Sequence, residues 1–150
     1  MDFFAPKRLK LAFFKNGSFS FTKSGHSDNR LTSLPEQLFQ RTSLEIFRAS
    51  HNDLHEIPVK TLNPVQSTLK HLDLTGNKIT TISDSQLNQI QSLVVLNLAH
   101  NLITTIDHQA FCCLPNLSSL DLSFNPLKRV DADTFAGTFL AIFCHFGFKS

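Results

Sequence analysis

Five asparagines at nearly constant spacing constrain the fold of this chain more than any other feature of its sequence. In chain order they are Asn29, Asn52, Asn77, Asn101 and Asn125. The intervals between them are 23, 25, 24 and 24 residues. A fixed period in this range is typical of chains in which one small structural unit is repeated and stacked. At 150 residues, the chain is therefore predicted to form a single elongated repeat domain.

Leucines accompany the asparagines in a fixed register. The pattern L-x-x-L-x-L-x-x-N-x-L-x-x-L, with isoleucine or valine at some leucine positions, begins at Leu69, Leu93 and Leu117. Its L-x-L core predicts a short strand with the leucines inside, because successive side chains of a strand alternate between its faces. Successive strands are expected to stack as a parallel sheet. The asparagine amide both donates and accepts, so it can satisfy buried backbone groups where the chain leaves the strand.

Two earlier copies of the pattern are less regular. The copy that begins at Leu44 has phenylalanine and alanine at its two strand positions. Before it, Asn29 and two leucines after it are preserved, and Phe21 takes the first leucine position. These copies extend the predicted repeats upstream to residue 21.

A second apolar column runs along the repeats. Its members each lie five residues after the last apolar position of the pattern, and they are Phe39, Leu62, Leu87, Phe111 and Phe135. We expect them to stack inward on the side of the coil opposite the strands. This stack accounts for part of the unusual aromatic content, which is 15 phenylalanines with neither tryptophan nor tyrosine. Phenylalanine has no polar atom, so it is suited to a buried position.

The pattern resembles the leucine-rich-repeat family, and the period of about 24 with phenylalanine is similar to its extracellular "typical" class. Toll-like receptors, chaoptin-like adhesion proteins and small proteoglycans carry such repeats. The resemblance covers residues 21 to about 140. It implies an α/β fold, a curved right-handed solenoid with short parallel strands on the concave face and an irregular or helical convex side. It is specific for the fold and says little about function, because the family serves many partners.

This assignment divides the chain into three parts. Residues 1–20 are predicted to be a non-repeat segment without fixed order, residues 21–140 to contain about five repeats, and residues 141–150 to be a truncated or divergent sixth repeat. An uncapped coil exposes its apolar end face to water. We therefore expect a fragment, a splice form or an incomplete gene model. A structural protein that self-associates through its open ends is a further functional possibility.

In a repeat of this kind, the residues that alternate with the strand leucines form the concave face, a usual binding surface of solenoids. The predicted partner contacts on it are Arg48, Ser50, His71, Asp73, Thr75, Asn97, Asp121 and Ser123. A flanking column just after the strands adds His51, His100 and Phe124. The alternative is a solvated polar face without a partner, because exposed positions tend to be polar in any case.

The sequence offers little for catalysis, metal binding or a cofactor, and we predict a non-enzymatic chain without them. His51 and His100 lie two repeats apart, roughly 10 Å at normal strand spacing, which is too far to share one metal ion. Cys112, Cys113 and Cys144 show no CxxC spacing, and they are interpreted as small thiols without a disulfide framework. A net charge of +2 does not favour nucleic acid.

Two functional hypotheses remain open from the sequence. The first is a protein-binding fragment of a receptor or adhesion-type ectodomain, supported by the period and by two sequons, at Asn16 and Asn116. The second is an intracellular adaptor, or the regulatory repeats of a signalling enzyme. It is favoured by the missing cysteine-rich caps, by the missing signal-peptide pattern and by the unpaired cysteines. No apolar run reaches the length of about 18 residues that a membrane span needs. The compartment, extracellular or cytoplasmic, depends on which hypothesis holds.

Overall fold

The computed structural model describes residues 17–20, 30–84 and 86–135. The strands in this part, in chain order, are β1 (Ser18–Ser20), β2 (Ile46–Arg48), β3 (His71–Asp73), β4 (Thr81–Ile82), β5 (Val95–Asn97), β6 (Thr105–Ile106) and β7 (Ser119–Asp121). Five of them form one parallel sheet in the order β1-β2-β3-β5-β7. The strands β4 and β6 form a second, two-stranded parallel sheet.

The main sheet stacks one coil on the next in perfect register. The central residues of its five strands pair in one buried row, which consists of Phe19, Phe47, Leu72, Leu96 and Leu120. Each strand covers the apolar face of its neighbour, as expected for stacked repeats. The predicted parallel-strand solenoid is therefore confirmed, with about four turns.

The convex side consists mainly of turns. One α-helix, α1 (Val59–Leu62), is followed by a 3-10 segment at Asn63–Val65, and a second 3-10 segment spans Ala132–Phe135. Helix α1 stays short because Pro58 precedes it and Pro64 follows it, and proline is poorly tolerated inside a helix.

The second apolar column lies inside the coil on this convex side. Phe39, Leu62, Leu87 and Phe111 are fully buried, and Phe135 is half-buried against them. At the first coils the ring of Phe39 meets those of Phe19 and Phe47 at centroid distances of 5.2 and 5.0 Å. At the last coils Phe111 and Phe135 stack at 5.7 Å. The phenylalanine excess thus serves packing between the sheet and the convex wall.

Buried asparagines connect adjacent coils at the point where the chain leaves each strand. In Asn77, Nδ2 donates to the carbonyl oxygens of Leu74 and Ala49 at 2.9 and 3.0 Å, and Oδ1 accepts from the N–H of Leu54 at 3.0 Å. Asn101 and Asn125 make the equivalent bonds one and two coils further on. Asn52 accepts from the N–H of Leu31 at 3.3 Å and donates to the carbonyl oxygens of Ala49 and Ser50, both at 3.1 Å. Asn29 lies outside the described residues.

The first strand begins earlier in the chain than the repeat pattern indicated. Strand β1 lies within residues 1–20, which were predicted to precede the repeats, and it pairs Phe19 with Phe47. In Ser18-Phe19-Ser20, one inward-facing phenylalanine lies between two small polar residues that face outward. This is the alternation expected of a strand with one buried face. Phe21 lies outside the described residues. In the sequence, Phe19 stands ten positions before Asn29, whereas Phe47 stands five positions before Asn52, so the repeat pattern did not indicate Phe19 as a strand residue.

Candidate functional site on the concave sheet and its edge

Two outward-facing rows of side chains form the concave face. One row runs Ser20, Arg48, Asp73, Asn97 and Asp121, and the other runs Ser18, Ile46, His71, Val95 and Ser119. Between them lies a shallow depression of about 170 Å³ whose polar lining comprises Arg48, His71, Asp73 and Asn97. The structure therefore brings five of the predicted contact residues, the four lining residues and Asp121, onto one continuous surface.

Three members of the first row also hold the turn that ends their own strands. Asp73 Oδ1 accepts from the N–H of Thr75 at 3.0 Å and from its hydroxyl at 2.7 Å. Asn97 and Asp121 accept in the same way from the N–H two residues later, at 3.0 and 2.9 Å. Such Asx turns are a common role of these residue types. The prediction treated all three as partner contacts alone, although an Asp or Asn at each strand end was the signal for a turn.

Two of the predicted contact residues are almost fully buried. Ser50 and Ser123 are 7% and 8% exposed. Thr75, at the equivalent position, is half-buried. The expectation of a partner-facing side chain does not hold for Ser50 and Ser123.

Beside the strands runs a row of residues in the left-handed backbone conformation. It consists of His51, Gly76, His100 and Phe124, with φ between 54° and 68°. This conformation costs an L-residue with a side chain about 1–2 kcal/mol relative to the right-handed one. At Gly76 the glycine also makes room for a neighbour, because an added Cβ would lie 2.6 Å from Nδ1 of His51. His51 and His100 are exposed.

The C-terminal half of this row carries an exposed aromatic stack. The rings of His100 and Phe124 lie 4.2 Å apart and 8° from parallel, and Phe124 is 66% exposed. In the adjacent coil Leu102 is 50% exposed. These coils are joined directly, because Asn125 Oδ1 accepts from the N–H of Ile103 at 3.0 Å. We call His100, Leu102 and Phe124 the edge patch.

The edge patch contains all the exposed large hydrophobic side chains of the described residues. At the positions equivalent to Leu102 in the two preceding coils, Lys78 and Asp53 form an ion pair at 2.9 Å. The apolar character is therefore confined to the C-terminal half of the edge. Sequence reasoning missed Leu102. The available signal was a leucine directly after a ladder asparagine, where two other repeats carry aspartate and lysine.

The remaining predicted sites lie apart from this surface. Asn116 is exposed, and its Nδ2 donates to the carbonyl oxygen of Gln91 at 2.8 Å. Asn16 and Cys144 fall outside the described residues. Within the described ranges, no group of three or more His, Cys, Asp or Glu side chains is placed to hold a metal ion. None of the helices described there is long and apolar enough to cross a membrane.

Comparison with known proteins agrees with this geometry. The profile of the leucine-rich-repeat family matches residues 67–137, which contain the three most regular copies of the pattern. The repeats are leucine-rich repeats. Leucine-rich-repeat domains are in general protein-interaction modules without catalytic activity. No curated protein sequence matches the chain significantly.

Two solved leucine-rich-repeat structures illustrate the likeness. One is a leucine-rich-repeat protein of Leptospira interrogans, with 32% identity and a TM-score of 0.62 over 71% of this chain and 26% of that one. The other is Toll-like receptor 13 in complex with a single-stranded RNA, with 24% identity and a TM-score of 0.55 over 83% of this chain and 22% of that one. The second likeness shows the fold alone. The chain spans about a quarter of the length of these proteins.

Proposed function

We propose that this chain is a non-catalytic protein-binding module whose partner contacts the concave face and the edge patch together. The observation that carries the proposal is the exposed stack of Phe124 on His100, with the exposed Leu102 two residues after His100 in the chain. Large apolar side chains at the surface of a soluble protein mark interaction sites when they are contiguous. A rigid aromatic ring next to polar residues is the usual composition of an interface anchor and its rim.

The charges of the concave face favour a protein over a nucleic acid. The first row of this face contains Arg48, Asp73 and Asp121, so its carboxylates outnumber its cations. Nucleic-acid affinity rests on neutralising phosphates with Lys and Arg, and this row would repel a phosphate chain. A mixed row of this kind is complementary to a protein surface of alternating charge. Binding of RNA, as by Toll-like receptor 13, is the competing outcome that an experiment must distinguish.

The first experiment identifies the partner by proximity labelling and then measures its affinity for purified variants. Phe124→Ala is expected to weaken binding about tenfold or more, since loss of an interface anchor costs about 2 kcal/mol. Gln89→Ala is the matched control, because Gln89 is exposed on the convex side. Equal affinities of the two variants would remove the edge patch from the binding site. Tighter binding to single-stranded RNA than to the partner protein would overturn the choice of a protein ligand.

For the setting of this module, we propose a receptor or adhesion-type ectodomain of the "typical" repeat class. The 24-residue period, the buried phenylalanine column and the exposed sequon residue Asn116 support it. The alternative, an intracellular adaptor or regulatory repeat region, is supported by Cys112 and Cys113, which form no disulfide in the described residues. The protein from its natural cells is treated with a glycosidase that removes N-linked glycans. A loss of mass that disappears in Asn116→Gln supports the ectodomain, and an unmodified Asn116 with a cytosolic location supports the adaptor.

A further inference from the structure

Two adjacent thiols lie in the convex turn of the fourth coil. The Sγ atoms of Cys112 and Cys113 are 3.0 Å apart. The residues on either side, Phe111 and Leu114, are fully buried in the core. Because both flanks are anchored, the turn holds the two sulfur atoms in contact on the surface.

The two cysteines differ in access, and the proton of Cys112 is held more tightly than in an ordinary thiol. Cys113 is exposed, whereas Cys112 is half-buried. The hydrogen bond to Cys113 raises the pKa of the Cys112 thiol above its usual value, and burial and the charges of Cys113 and Asp84 raise the pKa further. The carboxylate of Asp84 is held near this turn by the N–H of Gln109 at 2.9 Å. Cys112 therefore keeps its proton, and Cys113 presents the sulfur that a reagent can reach.

We propose that Cys112 and Cys113 form a reversible redox site for low-molecular-weight disulfides of the glutathione type. In the first step the Cys113 thiolate attacks one sulfur of the disulfide, whose S–S bond breaks and releases one small thiolate. In the second step Cys112 loses its proton and attacks Sγ of Cys113, which expels the second small thiol. The protein loses two electrons and two protons in total, and the small disulfide is reduced to two thiols.

The bond formed in this way is expected to be labile. Consecutive Cα atoms across a trans peptide are about 3.8 Å apart, whereas disulfide-linked residues usually have Cα atoms about 4.4–6.8 Å apart. A bridge between neighbours in the chain is consequently strained, and strained, exposed disulfides are readily reduced. The site would thus respond to the redox poise of its surroundings and would not act as a structural crosslink.

The test is mass spectrometry of the full chain after incubation with oxidised glutathione, in a Cys144→Ser background. With oxidised glutathione in large excess, the background protein is expected to lose two hydrogens from the peptide that contains both cysteines. Cys112→Ser should stop at the first step, with glutathione attached to Cys113. Cys113→Ser should react at least about tenfold more slowly, because thiol–disulfide exchange requires access to the attacking sulfur. Dithiothreitol should reverse both modifications.

Two results would overturn the proposal. The first is a background protein that accumulates glutathione on Cys113 without closing the bridge. The second is a Cys113→Ser variant that reacts as fast as Cys112→Ser, which would mean that the order of attack is wrong. Circular dichroism of each variant before oxidation separates these results from a loss of fold.

Discussion

The side-chain oxygen of Asn101 accepts a hydrogen bond at 3.1 Å from the backbone N–H of Ile79, which lies in the preceding coil. The amide nitrogen of the same side chain donates to the carbonyl oxygens of Leu74 and Leu98, both at 3.0 Å. Asn101 is 3% exposed. One buried amide thus satisfies backbone groups of two coils that strand pairing leaves open, which is why the period of the sequence is most visible in its asparagines.

Replacing Asn101 by alanine should therefore cost more stability than replacing Asn97. Asn101→Ala leaves the buried N–H of Ile79 unpaired, at about 1–3 kcal/mol for an unsatisfied group. It also removes one of the two amide donors to the carbonyl oxygens of Leu74 and Leu98, which keep their bonds from Asn77 and Asn125. Asn97→Ala loses the bond from the N–H of Ala99 on a half-buried side chain, and water can replace it. Urea unfolding of both variants measures the difference. Equal losses in the free energy of unfolding would contradict the assigned role of Asn101.

Gly76→Ala should destabilise the chain for two separable reasons. The φ of +68° penalises any side chain by about 1–2 kcal/mol. In addition the new Cβ would lie 2.6 Å from Nδ1 of His51, so the imidazole must move. In a His51→Ala background the second contribution should disappear and the first should remain. A double-mutant cycle measured by urea unfolding gives both contributions to the free energy of unfolding. A cost at Gly76 that is the same with and without His51 would show that the imidazole does not pack there.

Thr134→Val should leave stability unchanged or raise it slightly. Its hydroxyl is buried and has no hydrogen-bond partner among the described residues, so an apolar replacement of the same shape removes a desolvation cost. Thr61→Val is the matched control. Thr61 is equally buried, but its hydroxyl donates to the carbonyl oxygen of Leu34 at 3.1 Å, and its loss should cost about 1 kcal/mol. Thermal unfolding that ranks the two variants in the opposite order would refute this.

Two phenylalanines should respond very differently to truncation. Phe111→Ala empties a fully buried position in the convex column and should cost about 3–5 kcal/mol. Phe124→Ala removes a ring that is 66% exposed, and stability should change by no more than about 0.5 kcal/mol. Chemical denaturation of both variants tests this contrast. A large loss in Phe124→Ala would mean that the ring serves the fold, and its effect on binding would then need another explanation.

Much of the fold was predictable because the repeat pattern and the packing share one period. The buried row through Phe47, Leu72 and Leu96, the convex column and the parallel sheet all follow from a 24-residue register with period-two alternation inside it. The start of the first repeat was not predictable in this way. Phe19 and Phe21 are both apolar, and Phe19 stands ten positions before Asn29 where the pattern expects five.

The candidate site was less accessible to sequence reasoning. The pattern places Asp73 and Asn97 on the concave face, but the Asx turns that occupy their oxygens depend on backbone conformation. The burial of Ser50 depends on where the chain bends after the strand. The stack of His100 on Phe124 requires that both residues adopt the left-handed conformation, which leucine periodicity does not report.

The most direct test of the central claim is site-specific photo-crosslinking in the natural cells of the protein. A photoreactive amino acid replaces His71, which is exposed in the middle of the concave sheet, or Gln89, which is exposed on the convex side. We predict a discrete crosslinked protein from position 71 that is lost when Phe124 is also replaced by alanine, and none from position 89. Crosslinks from position 89 together with none from position 71 would contradict partner binding by the concave face.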